Sequence, residues 1–204
     1  MSEHFYRPAD GHRLPHDPFN SIVAPRPIGW ISTVDEQGRV NLAPYSFFNA
    51  FNSSPPIVGF ASEGRKDSLS NVEATGEFVC NLATRPLAEV MNRSSTPLPH
   101  GESEMELAGI ASAPSRLVRP PRVADAPAAL ECRLLQIVPL KNLEGEALDT
   151  HLVLGQVVGV HIRGAFLVDG VFDLRAARPI GRCGYRGYYA EMGEMFEMFR
   201  PTRR

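Results

Sequence analysis

The sequence is short of cysteine, of long apolar runs and of any excess of one charge. Three Cys (Cys80, Cys132 and Cys183) stand at wide spacings. An odd, dispersed set excludes a disulfide framework and a zinc knuckle. They read as small buried apolar residues, with Cys183 in a Gly-rich loop the least secure of the three. The six His include no H-E-x-x-H and no pair at ligand spacing. His4, His12, His16 and His100 fall in polar or Pro-rich segments expected at the surface, and His151 and His161 bracket one strand. Net charge is -2 with no long basic run, so neither nucleic acid nor an anionic membrane has electrostatic support as a partner. No apolar stretch reaches the length of a membrane span. The first twenty residues lack the apolar segment of a secretory signal, and a cytoplasmic protein is expected. There is no G-x-G-x-x-G dinucleotide unit, no Ser-His-Asp pattern, no paired catalytic carboxylates and no metal cluster.

What is present is β-rich. The 204 residues suit one domain able to bury a core, with 1–17 as an N-terminal arm. Short apolar runs with period 2 predict strands over 28–34 and 40–46, joined by a turn carrying Asp35 and Gly38. Further strands are expected over 57–62, 78–83, 129–140 and 151–162, the last two paired antiparallel, with a short strand pair around the Asp-Gly of 166–172. Helical patterns are few: 67–75, capped by Asp67 or Ser68, with Ser70 and Glu73 matching a capping box; 86–93, opened by Pro86; and 103–109. Six or seven strands with few helices predict a mainly β, antiparallel barrel or curved sheet. Residues 94–128, rich in Pro, Ser and Ala, read as a long excursion over the surface.

Three stretches carry chemistry. In A-S-E-G-R-K-D-S-L-S-N (61–71) a strand ends, Gly64 turns the chain and a helix begins beside Arg65 and Lys66. Helix-terminal N–H groups, two cations and the hydroxyls of Ser62 and Ser68 are the parts of a phosphate cradle. A solvated turn with a capped helix uses the same residues. In N-L-A-P-Y-S-F-F-N-A-F-N (41–52) amides alternate with aromatics, a lining suited to a flat heterocycle or to a core. In R-P-I-G-W-I-S-T (26–33) Arg26 is stiffened by flanking prolines, Gly29 leaves room for a close approach, and Ser32 and Thr33 end the strand with hydroxyls.

In this order these stretches, with G-E-F-V-C-N-L (76–82), H-L-V-L-G-Q-V-V (151–158) and R-P-I-G-R-C-G-Y-R-G-Y-Y (178–189), resemble the flavin reductase-like, FMN-binding split-barrel family over most of 18–201. The resemblance implies an antiparallel split β-barrel with a few short helices and a homodimer holding FMN at or near its interface. It also implies flavin reduction by NADH or NADPH through hydride transfer, with a monooxygenase as a possible partner. Carried onto this chain, Arg65, Lys66, Asp67 and Ser68 fall on the phosphate segment. Ser46, Phe47, Phe48 and Asn49 fall on the loop bordering the flavin, and Ile31, Ser32 and Thr33 on the strand end that meets its ring and ribityl region. Met105 departs from the Phe expected in the patch 103–110. Arg182, Tyr185 and Tyr188 either pack on the barrel or close over a ligand. A non-enzymatic FMN-binding electron carrier or storage protein is the alternative, and an oxidase of the pyridoxamine-phosphate type a third reading.

Overall fold

The computed structural model describes residues 3–99, 101–185 and 187–201. His100 and Arg186, which fall in segments read above, lie outside them. Seven strands form one antiparallel sheet: β1 (Gly29–Val34), β2 (Val40–Tyr45), β3 (Phe48–Ser53), β4 (Pro56–Glu63), β5 (Glu77–Leu82), β6 (Ala128–Lys141) and β7 (Ala147–Ile162), in the order β2-β1-β5-β6-β7-β4-β3. The two edge strands, β2 and β3, are consecutive in sequence and separated only by Ser46 and Phe47. The sheet therefore curls until its edges meet at that corner, which makes the chain a mainly β split barrel, as expected.

Strand β1 is buried at every position because both its faces are covered. Ile31 points into a core with Phe60, Phe78 and Val153, to which the helix α1 (Asp67–Thr75) adds Leu69 and Val72. Trp30 points the other way, into a second core with Leu42, Met91 and Met105. Met91 and Met105 come from α2 (Ala88–Arg93) and α3 (Glu104–Ala108). Cover on both faces is also why the two hydroxyl residues of the strand, Ser32 and Thr33, are fully buried.

The hairpin turn forms as its chemistry predicts: the Asp35 carboxylate accepts from Gln37 N at 2.9 Å and Arg39 N at 2.8 Å. Three expectations are corrected. Phe48 and Asn49, placed on a loop by the resemblance, lie on β3, paired with β4 in the register Phe48↔Phe60 and Asn49↔Gly59. A bulge between Ala50 and Asn52 breaks the alternation that would have marked the strand. Helix α1 spans its expected residues, but its N-cap is Lys66, extended at φ -93 and ψ 164, with no side-chain cap. Asp67 is thus already helical, and Glu73 pairs with Arg65 instead of closing a capping box. Finally, 94–128 is not wholly a surface excursion, since Ser94, Met105, Val123 and Ala126 are buried and lie over the outer face of β1. Burial pushes the Cys80 thiol up to about 12, and none of the three cysteines is paired.

Gly155 marks the tightest approach inside the barrel: a Cβ there would lie 2.4 Å from Phe78 Cε1 and 3.2 Å from Arg133 O. Gly155→Ala should cost about 1–3 kcal/mol, the usual toll of overpacking a filled core, read as a lower midpoint in urea. An unchanged midpoint would mean that the Phe78 ring moves aside freely.

No helix among the described residues is long and apolar enough to cross a membrane. A small sheet of Arg26–Pro27, Ile180–Arg182 and Tyr189–Glu191 ties the chain's late Gly-rich segment to the start of the barrel.

Candidate functional site

An open cavity of about 1420 Å³ lies where β2, the edge corner and the start of α1 converge. At one end the first turn of α1 presents Lys66, Asp67 and Ser68. With no side chain capping this terminus, its early N–H groups and partial positive charge suit an anion. Ser68 is 1% exposed and hydrogen-bonds Asn41 at 2.7 Å. In the amide orientation that satisfies its neighbours, Asn41 accepts from Ser68 and donates to Glu104 Oε1 at 3.1 Å. Glu104 Oε2 accepts from Leu42 N at 2.9 Å. Burial pushes the Glu104 carboxyl up, against the pull of that backbone bond, and the Asp67 charge adds to the rise. Tyr45 lines the same wall with its hydroxyl beside Ser62 and Ser68 but without a hydrogen-bond partner of good geometry. Burial raises its pKa as well.

Of the flavin-site candidates named from sequence, the fold brings Ser46, Phe47, Lys66, Asp67 and Ser68 onto this cavity, as it does Arg26 and the late Arg182, Tyr185 and Tyr188. The others lie behind or beside it. Ile31 is core. Ser32 Oγ donates to Pro121 O at 2.5 Å, and Thr33 Oγ1 accepts from Asn71 Nδ2 at 3.1 Å. The two hydroxyls thus tie the barrel to the 114–121 loop and to α1. Phe48 packs its ring on Gly29, where a Cβ would sit 2.5 Å from Phe48 Cδ2, so the close approach that Gly29 permits is an internal one. Ser62 is fully buried and donates to Gly64 O at 3.0 Å. Asn49 is exposed on β3 and accepts from Ala50 N at 2.8 Å. Arg65 is engaged by Glu73 on the outer side of α1.

Sequence reasoning missed Glu104 and the wall built by 94–98. Both belong to the stretch 94–128, read as an excursion over the surface, in which the sequence predicts only a short helix over 103–109. It also missed the arm: His12, His16, Asp17 and Asn20 line the other end of the cavity, with Arg182, Tyr185 and Tyr188 of the late segment. Met105, the departure in the 103–110 patch, faces the second core and not the cavity. No three His, Cys, Asp or Glu side chains among the described residues gather into a metal-holding group.

Residues 22–173 match the family described as flavin reductase like domain. An uncharacterized protein of Deinococcus radiodurans is 42% identical over 194 residues, covering 89% of this chain and 82% of its own. Among solved structures, nitrilotriacetate monooxygenase component B from Bacillus cereus superposes with a TM-score of 0.87 at 28% identity, covering 97% of this chain and 100% of that one. The 2-nitrobenzoate 2-nitroreductase NbaA of Pseudomonas fluorescens follows at 0.79 and 29%, with 90% and 88% covered. A barrel closed at the edge corner and a cavity opening on a bare helix terminus are thus joined to a match over three quarters of the sequence: the chain belongs to the flavin reductase-like, FMN-binding split-barrel family.

Proposed function

We propose that this chain binds FMN and acts as an NADH- or NADPH-dependent flavin reductase, supplying reduced flavin to an oxygenase partner. The observation that carries this reading is the uncapped start of α1, with Lys66 and Ser68, opening onto a cavity walled by Tyr45 and Phe47. The fit is chemical. A phosphate would meet helix N–H groups and an ammonium. The unpartnered Tyr45 hydroxyl would gain a polar partner, and the aromatic wall suits a flat ring. When bound, FMN supplies the hydride-accepting and electron-passing chemistry; the protein supplies position and electrostatics.

We assign Ser46, Phe47, Lys66, Asp67 and Ser68 to direct contact. Ile31, Ser32, Thr33, Phe48 and Ser62 support the wall from beneath, and Asn49 and Arg65 flank it. The neighbour named as a monooxygenase component supports the oxygenase partnership. The same reading takes the whole chain as one domain that forms a homodimer with the flavin near its interface. Its unpaired cysteines agree with a cytoplasmic setting.

The test is the visible spectrum of the purified protein, followed by anaerobic titration with NADH and then NADPH. One of the two should bleach the flavin absorbance. Flavin that stays oxidised with both would reject the reductase and leave an electron carrier; failure to bind FMN would reject the site. Lys66→Ala should weaken FMN binding by about 1.5–3 kcal/mol, the worth of a charged hydrogen bond, or roughly 10- to 150-fold. Equal affinity in wild type and variant, by fluorescence titration, would move the phosphate elsewhere.

A further inference from the structure

The cavity exceeds the roughly 300–1,000 Å³ that one small ligand fills, and its second end differs in chemistry from the helix end. That end lies between Phe47 at the edge corner and a flap made of the arm and the late Gly-rich segment. The flap is one piece: Arg26 pairs with Arg182 in the small sheet, and Gly184 N donates to Asn20 O at 3.1 Å. His16 and Tyr185 bring their rings to 5.0 Å across it.

Arg26 is the anchor. It lines the cavity, is only 8% exposed and stacks its guanidinium over the Phe47 ring at 5.6 Å. One Nη donates to Asn20 O and Val23 O, both at 2.5 Å, but Nε is buried with no partner. A buried charge short of a partner is costly, and a carboxylate brought up to the guanidinium from the cavity side would offset it. Arg182 adds a second cation, bonded through Nη1 to the Tyr189 hydroxyl at 2.7 Å. The carboxylate on this end, Asp17, is already engaged by Phe19 N at 2.9 Å. Tyr185 and Tyr188 are 43% and 64% exposed, large apolar planes left open to solvent at a cavity mouth.

We propose that the arm end of the cavity is a binding subsite for a planar aromatic carboxylate, held by Arg26 and packed against the paired rings of His16 and Tyr185. It rests on the flavin reading only in that the helix end is left to FMN. The experiment is calorimetric titration of the full-length protein, with and without FMN, using benzoate as the probe and benzyl alcohol as its neutral counterpart. Benzoate should bind in both states, and benzyl alcohol should bind roughly tenfold or more weakly, since it lacks the charge-assisted bond. Tyr185→Ala should weaken benzoate roughly two- to tenfold through the lost ring contact. Arg26→Gln should reduce benzoate binding to the level of benzyl alcohol.

If Arg26→Gln fails to fold by circular dichroism, the probe pair and Tyr185→Ala, at an exposed position, still decide. Absence of benzoate binding, equal binding of the two probes, or indifference to Tyr185→Ala would each overturn the proposal. Competition between FMN and benzoate would put benzoate at the helix end and overturn it too. Adenosine 5′-monophosphate titrated in parallel should bind this end more weakly than benzoate; tighter binding there would reassign it to a dinucleotide. If FMN fails to bind, the flavin reading falls while the benzoate titration without FMN still stands.

Discussion

Glu131→Ala should destabilise the protein by about 3–5 kcal/mol, the range for removing one member of a buried charged network. Glu131 lies on β6 with no exposure. Its Oε1 accepts from Arg116 N at 2.7 Å, and its Oε2 from Leu117 N at 2.6 Å and Val118 N at 3.2 Å. His161 from β7 closes on Oε1. Alanine would strand three backbone donors of the loop that Glu131 holds against the barrel wall. Chemical denaturation measures the loss; a cost under about 1 kcal/mol would mean that water replaces the carboxylate. The acid side of the stability profile tests the same group. Burial opposes ionisation of Glu131, but the Arg116 N–H, His161 and the Leu117 N–H outweigh it and hold the carboxyl below its ordinary range. A lowered folded pKa contributes stability that is complete above the unfolded value of about 4.3 and is lost as pH falls through the folded one. Glu131→Gln should therefore flatten the fall in stability below about pH 4. An unchanged acid limb would assign the fall to other carboxylates.

Trp30→Ala should cost about 3–5 kcal/mol, as large-to-small changes in a filled core do, and lower Tm by about 6–20 °C for a chain of this size. Trp30 is fully buried, and its Nε1 donates to Ser94 Oγ at 2.9 Å, which donates onward to Met91 O at 2.7 Å. Ser94 begins the 94–98 wall of the cavity, so the chain's one Trp braces that wall from behind. Trp30→Phe keeps most of the apolar contact and loses the hydrogen bond, about 1 kcal/mol. Thermal unfolding should rank wild type, Phe and Ala in that order. Phe and Ala variants of equal stability would show that the indole bond, not packing, dominates at this site.

The two variants bear on how much could be read from sequence. Helix α1 was legible to the residue because its polar start and Gly76 stop are local signals. The β1–β2 hairpin was legible because Asp35 caps its own turn. The β6–β7 pair was legible because long apolar runs joined by a polar connector have few other solutions. By contrast, β3 was hidden by its bulge, and the N-cap at Lys66 by a nearby Asp and Ser that cap helices more often. Ser32 and Thr33 look like site hydroxyls in a string of letters; in the fold one holds a loop and the other holds α1.

By itself, then, the sequence determined the strand-rich class and the family, and marked 65–68 as a candidate anion segment. Each of these depends on neighbours within a few residues or on the order of such stretches along the chain. Only the tertiary structure decided which side chains face the cavity. Asn41, Ser68 and Glu104 meet there from positions dozens of residues apart, and Arg26 and Phe47 share their end with Tyr185. Whether a given hydroxyl or carboxylate faces a ligand or the protein's own backbone depends on what covers each face of a strand, and that cover comes from distant parts of the chain.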